Sequence, residues 1–166
     1  MEIKFIYRYL ITLTFLMVLT SACNQSPTDK KKTLSSQKYD QELAQKYGAD
    51  EYGMKSYIFV ILKTGPDTTS TKEQLNQLFR GHMDNIKNLS EQGKLVVAGP
   101  MTDKNEKNYR GIFILNTNDM EEAHKMLMQD PAIAKGVFEA ELYPWYGSAA
   151  LPAYMDVHEK IARNNP

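Results

Sequence analysis

Apolar positions along this chain change period several times, and the changes mark its elements. Tyr57-Ile58-Phe59-Val60-Ile61-Leu62 is a continuous apolar, β-rich run that stops at Thr64-Gly65-Pro66-Asp67, a turn signal. Leu75, Leu78, Phe79, His82, Ile86 and Leu89 then recur at helical spacing and form one stripe with a histidine inside it. Glu91-Gln92-Gly93 ends that helix, with Gly93 in the place of a C-terminal glycine. Leu95-Val96-Val97-Ala98 predicts a second strand closed by Gly99-Pro100, and Tyr109 to Leu115 a third. Asn118 or Asp119 caps a second helix through Met128, with Glu121 and Glu122 in its first turn and Asp130-Pro131 at its end. Val137 to Tyr143 alternates apolar and acidic residues as a fourth strand, halted by Pro144. A terminal helix is expected from about Pro152.

The order is β-α-β-β-α-β. Right-handed crossovers convert it into an α+β, ferredoxin-like fold: a four-stranded antiparallel sheet with both helices on one face. Strand one, however, is apolar on both faces, whereas a sheet with one solvated face alternates. Something must cover the second face, and a second copy of the same sheet related by a two-fold axis is the simplest cover. A homodimer is therefore expected.

Ahead of the domain lies a different pattern. Lys4 and Arg8 precede an uncharged apolar run from Leu10 to Leu19, then Ser21, Ala22 and Cys23, the one cysteine of the chain. A secretory apolar region is about 7–15 residues and a spanning helix about 20, so the run suits a signal peptide. The stretch resembles the lipobox of bacterial lipoproteins, with Leu19 four places before the cysteine rather than three. It implies cleavage after residue 22, lipid on Cys23, and a bacterial cell-envelope protein anchored to a membrane by its N-terminal lipid. Residues 23–54, with Asn24-Gln25-Ser26-Pro27 and Lys30-Lys31-Lys32, are polar and lack an apolar period, so they predict a flexible tether with one weak helix between Gln37 and Tyr47. The domain occupies 55–151, and 152–166 is a tail.

Charge and composition narrow the chemistry. Of 20 basic and 20 acidic residues, cleavage removes Lys4, Arg8 and Glu2, leaving 18 against 19. That balance carries no basic footprint for nucleic acid. With the lone thiol on lipid, the domain has neither a disulfide nor a cysteine nucleophile. His82, His124 and His158 are too dispersed for zinc spacing, and the chain has no GxSxG, Walker or GxGxxG motif. No metal and no cofactor are expected.

His82 lies on the stripe between Phe79 and Ile86 and so points at the sheet. It is either a buried histidine bonded to backbone or a general acid–base in a partly apolar cleft. Asp130 is either its carboxylate partner or the organiser of the turn into Pro131. Gly99-Pro100 is a turn or a place of close ligand approach. Glu139 and Glu141 share a strand face, as paired carboxylates or as a solvated surface.

His82, Glu91-Gln92-Gly93-Lys94-Leu95, Val97-Ala98-Gly99-Pro100, Arg110-Gly111, Asp130-Pro131 with Gly136, and Trp145-Tyr146-Gly147-Ser148 together give the stretch from Lys55 to Tyr146 its resemblance to a YCII-related domain of the dimeric α/β-barrel superfamily. The resemblance implies face-to-face dimers and a cleft with a histidine–aspartate pair, His82 and Asp130, beside substrate-binding Arg80, Gly99 and Pro100. Some relatives place the arginine three residues before the histidine; here Arg80 is two before. Relatives in the wider superfamily resemble muconolactone isomerases and dehydrochlorinases, which move protons on small cyclic substrates. The expected function is thus binding of a small organic molecule, with a cofactor-independent isomerase or lyase step. The alternative is a non-catalytic dimeric binding or accessory lipoprotein of the envelope.

Overall fold

A computed structural model describes residues 38–164. The expected signal peptide, Cys23 and the expected tether up to residue 37 lie outside the described residues. Helix α1 (Gln41–Tyr47) falls where the weak helix was expected, capped by the Asp40 side chain on the Leu43 N–H. The chain then turns at Gly53 into β1 (Met54–Thr64). Gly53 also accepts the Ala149 N–H at 2.9 Å, which ties this entry segment to the last strand.

Helix α2 (Lys72–Glu91) starts at a capping box in which Thr71 and Gln74 satisfy each other's backbone N–H groups. It stops where Gly93 adopts a left-handed conformation and Lys94 bonds back to Leu89. Strands β2 (Leu95–Pro100) and β3 (Tyr109–Leu115) follow as an antiparallel pair. Helix α3 (Met120–Met128) is capped by Asp119, which settles the choice between Asn118 and Asp119. A short helix, α4 (Pro131–Ala134), comes next, and then β4 (Phe138–Ser148). A 3-10 turn (Leu151–Tyr154) and α5 (Met155–Ile161) close the described chain.

Two expectations need correction. Asp130-Pro131 does not simply end the second helix: it opens α4, because a carboxylate cap followed by proline at the first helical position starts a helix as readily as it stops one. Pro144 does not halt β4. The strand continues to Ser148 with Pro144 opposite Ile58. The sheet order β2-β3-β1-β4 makes β4 an edge strand, where one row of N–H groups lacks a ladder partner and proline is tolerated.

The sheet is antiparallel throughout. Ile58, Val60 and Leu62 of β1 join Phe113, Leu115, Leu89, Ala123, Met126 and Leu127 in the core between sheet and helices. On the second face Tyr57 packs with Val96, Ile114 and Leu151, and the Tyr154 hydroxyl donates to the Val96 carbonyl at 2.7 Å. The C-terminal turn thus covers one end of that face. Phe59, Ile61, Val97 and Ile112 remain half-buried, and Tyr143 and Trp145 are exposed. Phe59 and Ile61 sit opposite Tyr143 and Glu141 in register.

Candidate functional site

His82 occupies the inner side of α2, one turn after Phe79 and one before Asn85 and Ile86. It is held there by a close approach of α2 to α4. A Cβ at Gly81 would collide with the Pro131 ring, so glycine lets the two helices meet. The meeting brings His82 Nδ1 to 2.5 Å from Asp130 Oδ2. Asp130 is completely buried, yet both oxygens are used: Oδ1 accepts the Ala132 N–H at 2.9 Å and the Ile133 N–H at 3.3 Å, capping α4. A buried carboxylate satisfied in this way stays charged at far lower cost than an unpaired one. With Asp130 Oδ2 as the acceptor, Nδ1 is the donor and carries the proton. Nε2 is then left with its lone pair, and no protein group among the described residues bonds to it. The imidazole side chain retains 11% exposure.

Aromatic rings surround the pair. The His82 ring stacks on Phe113 at 5.9 Å between centroids and lies tilted 5.0 Å from Phe138. Phe79 meets Phe138 edge-on at 5.6 Å, and the Arg110 guanidinium sits over the Phe138 ring at 5.9 Å. A groove of about 660 Å³ runs along β4 past Phe138, Ile133, Gly136, Met128 and His124. It meets the site through Phe138 and does not include His82 itself.

Of the residues expected at the site, His82 and Asp130 come together. Arg80 is exposed on α2, about 200° around the helix axis from His82, and among the described residues no hydrogen bond or ion pair joins it to the pair. Gly99 and Pro100 end the edge strand β2, opposite Ile112 and Gly111. Open space surrounds the Cβ position of Gly99, whereas a Cβ on Gly111 would press on the Gly99 carbonyl, so the close backbone approach belongs to Gly111. Sequence reasoning overlooked Gly81, Phe113, Phe138 and the placement of Arg110 over Phe138. The glycine inside a helical stripe just before a histidine was the available signal for the first of these.

Charge also gathers on the second face of the sheet. Lys63 reaches Glu141 at 2.7 Å and Glu139 at 3.7 Å, and the Tyr143 hydroxyl donates to Glu141. The Lys63 hydrogen bond holds the Glu141 carboxyl below the ordinary glutamate range, and Glu141 in turn raises Lys63 and the Tyr143 phenol. Glu139 and Glu141 are therefore ion-paired to one lysine rather than set against each other as a carboxylate couple. Among the described residues no three His, Cys, Asp or Glu side chains gather as a metal-ligand group. No described helix is long and apolar enough to cross a membrane.

A four-stranded antiparallel sheet with its helices on one face, and a buried histidine–carboxylate contact between those helices, defines a ferredoxin-like α+β domain. Residues 57–146 match the model of the YCII-related domain, and the chain belongs to that family. Among solved structures the chain is similar to 5-chloro-2-hydroxyhydroquinone dehydrochlorinase from Burkholderia phenoliruptrix AC1100, in its complex with 2,5-dihydroxybenzoquinone. The identity is 21% over 53% of this chain and 92% of that one, with a TM-score of 0.39. No curated protein matches the chain.

Proposed function

We propose that this YCII-related domain binds a small organic molecule and moves a proton on it with His82 as the acid–base and Asp130 as its partner. The observation that carries the reading is the 2.5 Å contact from Nδ1 to a fully buried carboxylate, with Nε2 left without a protein partner. In the step, Nε2 takes a proton from a substrate C–H or O–H bond. Asp130 stabilises the imidazolium that results, and the bond electrons move into the substrate. Returning the proton to another substrate atom completes an isomerisation. Expelling a leaving group with that electron pair, and giving it the proton, completes an elimination. Both are balanced without an external oxidant or reductant. The half-buried apolar strip on the second face supports a homodimer, and the sequence around Cys23 supports a lipid anchor in the bacterial envelope.

The test is the imidazole itself. In ¹³C- and ¹⁵N-labelled full-length protein, His82 should show the Nδ1–H tautomer, with the Nε2 lone pair free to take a substrate proton. An imidazole that carries its proton on Nε2 instead would sink the acid–base role and leave a non-catalytic dimeric binding module.

A further inference from the structure

We infer that the His82 site takes a small organic anion, and that Arg110 holds its negative charge; this deepens the proton-transfer reading and rests on it for the location of the site. Arg110 reaches the site through a β-bulge. Leu62 of β1 pairs with Gly111 and Lys63 with Tyr109, so Arg110 is an extra residue opposite none of β1. A bulge turns its side chain out of the regular alternation, and such irregularities are frequent where a sheet must aim a residue. Here the bulge aims a guanidinium over Phe138, the ring that also packs 5.0 Å from His82.

The backbone around the bulge is fixed. The Arg110 carbonyl accepts the Met101 N–H at 2.8 Å. Asn105 clamps Tyr109 with two bonds, Nδ2 to its carbonyl at 2.9 Å and Oδ1 from its N–H at 3.0 Å. The Asn108 carbonyl accepts from Thr64 at 3.0 Å. Arg110 is thus an exposed side chain on a pinned backbone. Among the described residues no carboxylate pairs with it, whereas nearby Lys63 has two.

Charge balance gives this unpaired cation its meaning. The buried Asp130 carboxylate beside His82 disfavours an incoming anion unless a cation stands close by. Arg110 supplies that cation, with a planar fork suited to a carboxylate or to an enolate oxygen as charge develops there. Phe79, edge-on to Phe138 and 37% exposed, offers an aromatic surface for the apolar body of the ligand. Arg110 is therefore a substrate-positioning cation, and the ligand class is a small organic acid rather than a neutral or cationic molecule.

Benzoate and its neutral isostere benzamide separate the alternatives. Each is titrated into labelled full-length protein while the His82 and Phe79 resonances are followed. Benzoate should give saturable shifts and bind at least about tenfold more tightly than benzamide. Arg110→Met should abolish that preference with an unchanged circular dichroism spectrum, and Arg110→Lys should keep part of it. Equal binding of the two probes, no saturable response to benzoate, or full benzoate preference in Arg110→Met would each overturn the inference. A benzoate preference that depends on Arg110 beside a His82 in the Nε2–H tautomer would instead uphold the anion site and reject the proton transfer.

Discussion

Asp130 does two things with its two oxygens, and the pair of functions can be separated by substitution. Oδ1 caps α4 through the Ala132 and Ile133 N–H groups, while Oδ2 faces His82 Nδ1. Asparagine keeps an acceptor for the cap but places an amide N–H₂ against the imidazole. Nδ1 must then accept, and its proton moves to Nε2, where it blocks the lone pair. Asp130→Asn should therefore stay within about 1 kcal/mol of the parent in stability while its His82 ¹⁵N shifts report the opposite tautomer. Asp130→Ala loses the cap and strands the buried Nδ1–H, and should cost about 2–4 kcal/mol in urea unfolding. Equal stability loss in both variants, with no change of tautomer, would mean that Asp130 is a capping residue and nothing more.

At the scale of elements the site is a crossing of α2 with α4, and the residue that permits it is Gly81. In an exposed helix, alanine would be favoured over glycine by about 1 kcal/mol. Here its methyl would meet the Pro131 ring, whose atoms cannot swing aside as a flexible side chain would. Gly81→Ala should instead lower stability by about 1–3 kcal/mol, seen as a lower urea midpoint at constant slope, and should weaken the His82–Asp130 contact by pushing the helices apart. A stabilised variant would show that the helices are free to slide. The strands and long helices were legible in the sequence because each carries its own period and punctuation: the apolar run of β1, the stripe from Leu75 to Leu89, the glycine at 93. His82 was legible as a polar residue on that stripe. The short helix α4, the passage of β4 through Pro144 and the bulge at Arg110 were not. Each depends on a neighbour distant in the chain: α2 against Pro131, the edge position of β4, and the register of β3 on β1. Arg80 and Arg110 illustrate the same limit, since chain proximity to His82 favoured the first and sheet geometry the second.

For the whole molecule, the unresolved physical demand is the second face of the sheet. The C-terminal turn covers its end at Val96, but Phe59, Ile61, Val97 and Ile112 stay only half-buried, with Tyr143 and Trp145 beside them. A strip of this kind favours a self-complementary contact about a two-fold axis. The lipid proposed on Cys23 would act independently, because the anchor and the sheet are separated by the segment that ends at β1. Cys23→Ser should therefore leave the membrane fraction in a detergent-free extract and still scatter light as a dimer. Adding Ile61→Asp to that background buries an unpaired carboxylate in the contact, at a cost of several kcal/mol per dimer, and should give a folded monomer. A Cys23→Ser protein that is already monomeric at high concentration would remove the face-to-face dimer. One that remains in the membrane fraction would remove the lipid anchor, whatever its oligomeric state.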